Sequence, residues 1–147
     1  MEPDKFRLTR FLDAQENSYP TALRELRGGK KRSHWIWYIF PQLKGLGLSS
    51  TSEMYGVNGL TEARAYLTNP ILRQRLIEAT EAMLAHDSLD ASTILGELDA
   101  LKFRSCLTLF SLADPDEPIF AKALERFFDG TLDARTLELL RARGNAS

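Results

Sequence analysis

Between proline and glycine stops, most apolar residues of this 147-residue chain recur every three or four positions, the spacing that lays a stripe along an α-helix. Pro70, with Asn69 ahead of it as a cap, heads Ile71, Leu72, Leu76, Ile77, Ala79, Met83 and Leu84, a helix predicted to reach about His86. Pro118 heads Ile119, Phe120, Ala123, Leu124, Phe127 and Phe128 up to a stop at Gly130, and Asp133 caps a last helix carrying Leu137, Leu139 and Leu140. The pattern predicts an all-α fold, a compact single-domain bundle of about seven or eight short helices.

Phe6, Leu8, Phe11, Leu12 and Gln15 predict a short first helix ending near Asn17-Ser18, and Pro20 starts a second through Leu26, stopped by Gly28-Gly29. Trp35 to Phe40 is apolar or aromatic throughout, so periodicity does not separate strand from helix. An isolated strand would lack a partner, whereas Ser33 offers a cap and Pro41 a stop; the run is therefore read as the third helix. Leu43 to Gly59, rich in glycine and serine, reads as a long ordered loop after it. Thr61 is expected to cap a helix with Ala63, Tyr66 and Leu67, and Ala91–Leu95 to form a single turn stopped by Gly96. Asp99 is expected to cap a helix through Leu112, with Leu101, Phe103, Leu107, Leu109 and Phe110 as its apolar surface.

Composition narrows the function classes. Apolar residues make up 44% and charged residues 27%, outside the signature of disorder, so residues 1–147 read as one domain, with fraying expected at 1–3 and 143–147. A net charge of −1 gives no global drive towards nucleic acid, which is not an expected partner. Cys106 is the only cysteine and the two histidines have no H-E-x-x-H spacing, so neither a disulfide nor a metal is expected, and no cofactor is marked out. Polar residues Met1 to Lys5 do not resemble an export signal, and the Trp35–Phe40 run is far short of the roughly 20 residues of a spanning helix. The expectation is a cytoplasmic protein with no membrane partner.

Chemistry concentrates at Gly28-Gly29-Lys30-Lys31-Arg32-Ser33-His34, where glycines that let backbone amides approach a ligand adjoin three cations and a predicted helix start. That is the composition of an anion site, although it lacks the P-loop spacing, and a solvated basic turn has the same composition. Trp35, Trp37, Tyr38 and Phe40 offer flat rings beside it, with Trp35 and Tyr38 sharing a helix face, while core packing is the competing role. His34 is the candidate general acid or base, because imidazole titrates near neutral pH. Lys30, Lys31 and Arg32 would hold phosphate, Trp35 or Tyr38 would stack, Gln42 would hydrogen-bond, and Lys102 or Arg104 would complete the pocket. Ser105 and Thr108 share a helix face where small hydroxyls permit close packing, and Cys106 lacks the basic partner a nucleophile needs.

The motif Gly29-Lys30-Lys31-x-x-His34-Trp35-x-Trp37-x-x-Phe40-Pro41-Gln42 resembles an uncharacterised family catalogued as domain of unknown function 1810. The resemblance extends through Gly45-Leu46-Gly47, Tyr55, Glu62 to Leu67, Lys102-x-Arg104-Ser105-x-x-Thr108-Leu109-Phe110 and Phe128-x-Gly130. Where the family usually reads Ser-Ser-Met, this chain has Ser105-Cys106-Leu107, which weakens a nucleophilic role for Cys106. The resemblance implies a mainly helical fold and no established activity. Some members carry the label calpastatin; that inhibitor is an extended disordered chain, which a globular composition with repeated amphipathic helices does not fit. Two readings therefore stand: binding or processing of a small anionic, nucleotide-like ligand around residues 28–42, or a non-catalytic interaction module presenting the aromatic block or the 43–59 loop to a protein partner.

Overall fold

A computed structural model describes residues 4–143. Among the described residues it contains nine helices and a single isolated β-bridge. These are α1 (Thr9–Arg27), α2 (Ile36–Ile39), α3 (Ser50–Tyr55), α4 (Leu60–Thr68), α5 (Pro70–Leu84), α6 (Ala91–Leu95), α7 (Glu97–Ala113), α8 (Pro118–Phe128) and α9 (Ala134–Ala142). The all-α, compact architecture predicted from periodicity is the one observed. No helix in this set is long and apolar enough to cross a membrane.

Helix α7 is the axis of the bundle. From Phe103 to Phe110 only Arg104 keeps appreciable exposure, because α4, α6, α8, α9 and α2 pack around it. A helix enclosed by neighbours needs apolar or self-satisfied residues on every face, and Thr108 and Ser105 meet that need by donating their hydroxyls to the carbonyls of Arg104 and Leu101. Thr108 Oγ1 in turn accepts the Asp133 N–H at 2.9 Å, pinning the start of α9.

Several expected boundaries move. The two helices expected before Gly28 are one, running through Pro20. Its buried residues Phe11, Gln15, Ala22 and Leu26 are spaced four, seven and four apart, so a single stripe passes the proline unbroken and its burial against α5 and α2 outweighs the lost hydrogen bond. Gly59, not Thr61, precedes α4, and α7 begins at Glu97, leaving Asp99 within its first turn instead of at its cap. Leu101, expected in the core, is half exposed. Ser33 is not a cap, and α2 is a mere turn with no side-chain cap. Caps at Asn69 and Asp133 are as expected. The fraying expected at 1–3 and 144–147 lies outside the described residues, whereas Arg143 is tied down by bonds to the carbonyls of Lys44 and Asn58.

The 43–59 segment is ordered differently from a plain loop, because it contains α3. Its two ends are clipped by the Leu43–Val57 bridge, in which Lys44 N–H bonds the Val57 carbonyl at 2.7 Å and Val57 N–H the Gln42 carbonyl at 2.8 Å. Between them, the Ser49 hydroxyl oxygen caps α3 by accepting the Ser52 N–H at 3.1 Å. Gly56 lets this strap close: a β-carbon there would stand 2.7 Å from Lys44 Cα and 2.8 Å from the Ser52 carbonyl, both backbone atoms that cannot swing aside. Gly56→Ala is therefore expected to cost about 1–3 kcal/mol, measurable by thermal or denaturant unfolding; an unchanged stability would show that the strap is not held this tightly.

Candidate functional site

Helix α1 ends at Gly28, and Gly29, in the left-handed region at φ 78°, turns the chain back on itself. The returning segment runs past Glu25 in the last turn of α1. Its carboxylate accepts the Arg32 N–H (2.9 Å), the Ser33 N–H (3.0 Å), the Ser33 hydroxyl (2.7 Å) and the Trp35 indole N–H (2.9 Å). Burial acts to raise the Glu25 pKa, but these four donors together outweigh it and bring it from the ordinary 4.5 down to about 2. Trp35 is thereby drawn into the core, 1% exposed, against Phe40, which itself packs on Phe103.

The turn exposes a cleft of about 240 Å³ whose walls are Lys31, His34, Trp35 to Tyr38, Ser49 and Thr51 beside α3, and Asp99 and Lys102 from α7. Asp99 bridges the two lysines: Lys31 Nζ lies 2.8 Å from Oδ2 and Lys102 Nζ 3.2 Å from Oδ1. Lys31 also stands 5.1 Å from the centre of the Trp35 ring, so its cation is held by a carboxylate on one side and an aromatic face on the other. Its side chain is 9% exposed against 37% for Lys102, which leaves Lys102 the more accessible of the two. His34 is exposed at the rim.

Of the residues singled out from sequence, the structure brings Lys31, His34, Trp35, Tyr38 and Lys102 to this cleft. Lys30 and Arg32 are exposed and do not line it. Exposure alternates along the run, with Lys30 and Arg32 exposed and Lys31 half-buried, and it is Lys31 that is drawn in by its 2.8 Å ion pair with Asp99. Gln42 is buried, its side-chain amide making a long bond of 3.5 Å to the Phe40 carbonyl, and Arg104 instead lies 3.8 Å from Asp133 and over the Phe128 ring. Trp35 has no free face for a ligand, since Lys31, Phe40 and Glu25 occupy its ring and its N–H. Among the four aromatics only Tyr38 stays partly exposed, edge-on to Tyr55 at 4.7 Å.

Sequence reasoning missed Glu25, Ser49 and Thr51 and took Asp99 for a cap. The Asp99–Lys102 spacing of three was the one local signal for that pair, while Glu25 meets its partners only after the Gly29 reversal. Cys106 is fully buried, and burial pushes its thiol well above the usual range, which suits packing and not nucleophilic attack. Among the described residues no group of three histidine, cysteine or carboxylate side chains is placed to hold a metal ion.

Residues 5–140 match the model of a family described as a protein of unknown function, DUF1810. The chain belongs to this family. It is also similar, at 40% identity and a TM-score of 0.92, to the crystal structure of the conserved hypothetical protein Rv1873 from Mycobacterium tuberculosis, over 94% of this chain and 99% of that one. No curated protein matches it.

The Glu25 clamp gives this family member a defined acid response. A carboxylate whose folded pKa is depressed contributes stability that is complete above its unfolded value and is lost as pH falls towards the folded one, here from about 4.5 to about 2. Glu25→Gln, which keeps the shape but loses the charge, is expected to cost about 2–3 kcal/mol at pH 7 and to flatten the decline in stability across that window. Parallel pH profiles of unfolding for variant and parent would contradict the clamp.

Proposed function

We propose that the cleft beside Lys31 and Lys102 binds a small anionic, nucleotide-like ligand, with His34 at its rim as the group able to exchange a proton with it. The observation that carries this reading is the Lys31–Asp99–Lys102 triad, two cations sharing one carboxylate in a concave site lined by hydroxyls from Ser49 and Thr51. The triad keeps one net positive charge, which favours a single phosphoryl group or carboxylate. A volume of about 240 Å³ lies below the roughly 300–1,000 Å³ of drug-sized ligand sites, so it suits a phosphate with its sugar better than a whole dinucleotide. Stacking on Trp35 and hydrogen bonding by Gln42 drop out of this reading, because both are buried; Tyr38 supplies the aromatic edge instead.

A second reading, a protein-interaction module, draws on Leu48 and Met54, which project from the 43–59 segment at 104% and 51% exposure. Of the aromatic block it keeps Tyr38 alone, since Trp35, Trp37 and Phe40 are buried. The two readings separate in one experiment, thermal unfolding in the presence of millimolar ribose 5-phosphate, a nucleoside monophosphate or a nucleoside diphosphate. Ligand at a hundred times its Kd is expected to stabilise the parent by about 2.7 kcal/mol. Lys102→Gln is expected to weaken binding about tenfold through loss of one charge-assisted bond. If none of the three moves the parent's Tm, or if Lys102→Gln binds as the parent does, the ligand reading is wrong.

A further inference from the structure

On the other side of α3 from Ser49 and Thr51 lies a smaller cleft of about 110 Å³, lined by Lys5, Phe6, Arg7, Arg10, Lys44, Glu53, Met54, Gly56 and Asn58. Arg10 is its fixed floor. Its side chain is 8% exposed and all five N–H groups are used, on the carbonyls of Phe6, Arg7, Met54 and Gly56 and on Glu62 Oε2 at 2.9 Å. It therefore contributes a positive field without a free donor. Lys5 and Arg7 are exposed cations on the turn leading into α1, and Arg7 is held in the left-handed region at φ 52°, a conformation a non-glycine residue adopts only where its surroundings impose it.

Lys44 closes the cleft from the strap. Its counter-ion among the described residues, Glu53 at 3.4 Å, is 67% exposed, the kind of solvent-screened pair that contributes little and yields readily to a stronger anion. Counting the lining cations Lys5, Arg7, Arg10 and Lys44 against the carboxylates Glu53, Glu62 and Asp4, the last of which also acts on Arg10, leaves one positive charge unbalanced in a cleft with room for a few water-sized groups. Arg143 adds a further cation at the edge, anchored on the carbonyls of Lys44 and Asn58.

We infer that this cleft is a second anion site, separate from the one beside Lys31, and that it takes a single phosphoryl dianion, free or as a phosphomonoester, with Lys5, Arg7 and Lys44 as donors over the Arg10 floor. Dianion charge, tetrahedral size and the three movable cations are matched; a larger polyphosphate does not fit the volume. Because the floor is saturated by protein groups, binding depends on the movable cations alone, and these can be replaced without dismantling the fold.

The test is an amide-resolved NMR titration of the full chain with inorganic phosphate and with ribose 5-phosphate, each against chloride at matched ionic strength. Saturable shifts at residues 5–10, 44 and 53–58 are expected with both, as a set distinct from any shifts around Lys31 and Lys102, and Arg7→Gln with Lys44→Gln should weaken that set at least tenfold while leaving the Tm near that of the parent. A response to inorganic phosphate alone would mean that the cleft takes the free ion, whereas equal responses would include the phosphomonoester. Lys31→Gln with Lys102→Gln is expected to leave this response unchanged, so failure of the cleft beside Lys31 does not bear on it. Shifts that track ionic strength, that spread over all surface cations, or that survive Arg7→Gln with Lys44→Gln would overturn the inference.

Discussion

The carboxylate of Glu25 is the contact on which the functional face of this protein depends. It sits in the last turn of α1, where the helix dipole disfavours a negative charge, and Arg24 and Arg27 in the same turn only partly offset that. Four converging donors turn an unfavourable position into a firm one, and all four come from the stretch Arg32 to Trp35. Fixing these residues decides which way the side chains before and after them point. Lys31 is directed inward to Asp99, His34 outward to the rim, and the Trp35 ring down onto Phe40 and through it to Phe103 on the central helix. One anion thus joins the core to the cleft.

The strap from Leu43 to Gly59 has the corresponding role on the opposite wall. Six residues of helix with few partners would not be stable alone, and α3 persists because the Leu43–Val57 bridge closes the ends of the strap and because Gly47 lies against Ser52 and Trp37, and Gly56 against Lys44 and the Ser52 carbonyl, without a β-carbon between. It is placed so that Ser49 and Thr51 face one cleft while Glu53 and Met54 face the other. Displacing the strap would alter both clefts together.

The sequence made the helical architecture legible where a boundary was marked by local chemistry, as at Asn69-Pro70, Pro118 and Asp133. It misled where tertiary packing overrode a local marker. Pro20 does not break α1 because the buried stripe continues on both sides of it, and Asp99 is no cap because Gly96 and Glu97 start the helix earlier. The site was half legible for a similar reason. A basic run looks like one patch on paper, yet in the folded chain exposure alternates along it, so Lys31 enters the cleft and pairs with Asp99 while Lys30 and Arg32 remain outside. Glu25, Ser49 and Thr51 carried no signal, since each joins the site only through a chain reversal or a strap that has no periodicity to read.

The triad at the first cleft shows why its two lysines are not equivalent. Asp99 lies in the first turn of α7, where the helix dipole supports a carboxylate, and it holds Lys31 and Lys102 together against their mutual repulsion. Lys31 is the costlier cation to keep, because its side chain is almost wholly withdrawn from water, and it meets that cost with a 2.8 Å bond to Asp99 and the face of Trp35. Little of its charge is left for a ligand. Lys102 has a longer bond to the same carboxylate and over a third of its side chain in solvent, so it can turn to an incoming anion while Asp99 stays balanced by Lys31. The buried lysine sets the geometry of the cleft and the exposed one carries its net charge.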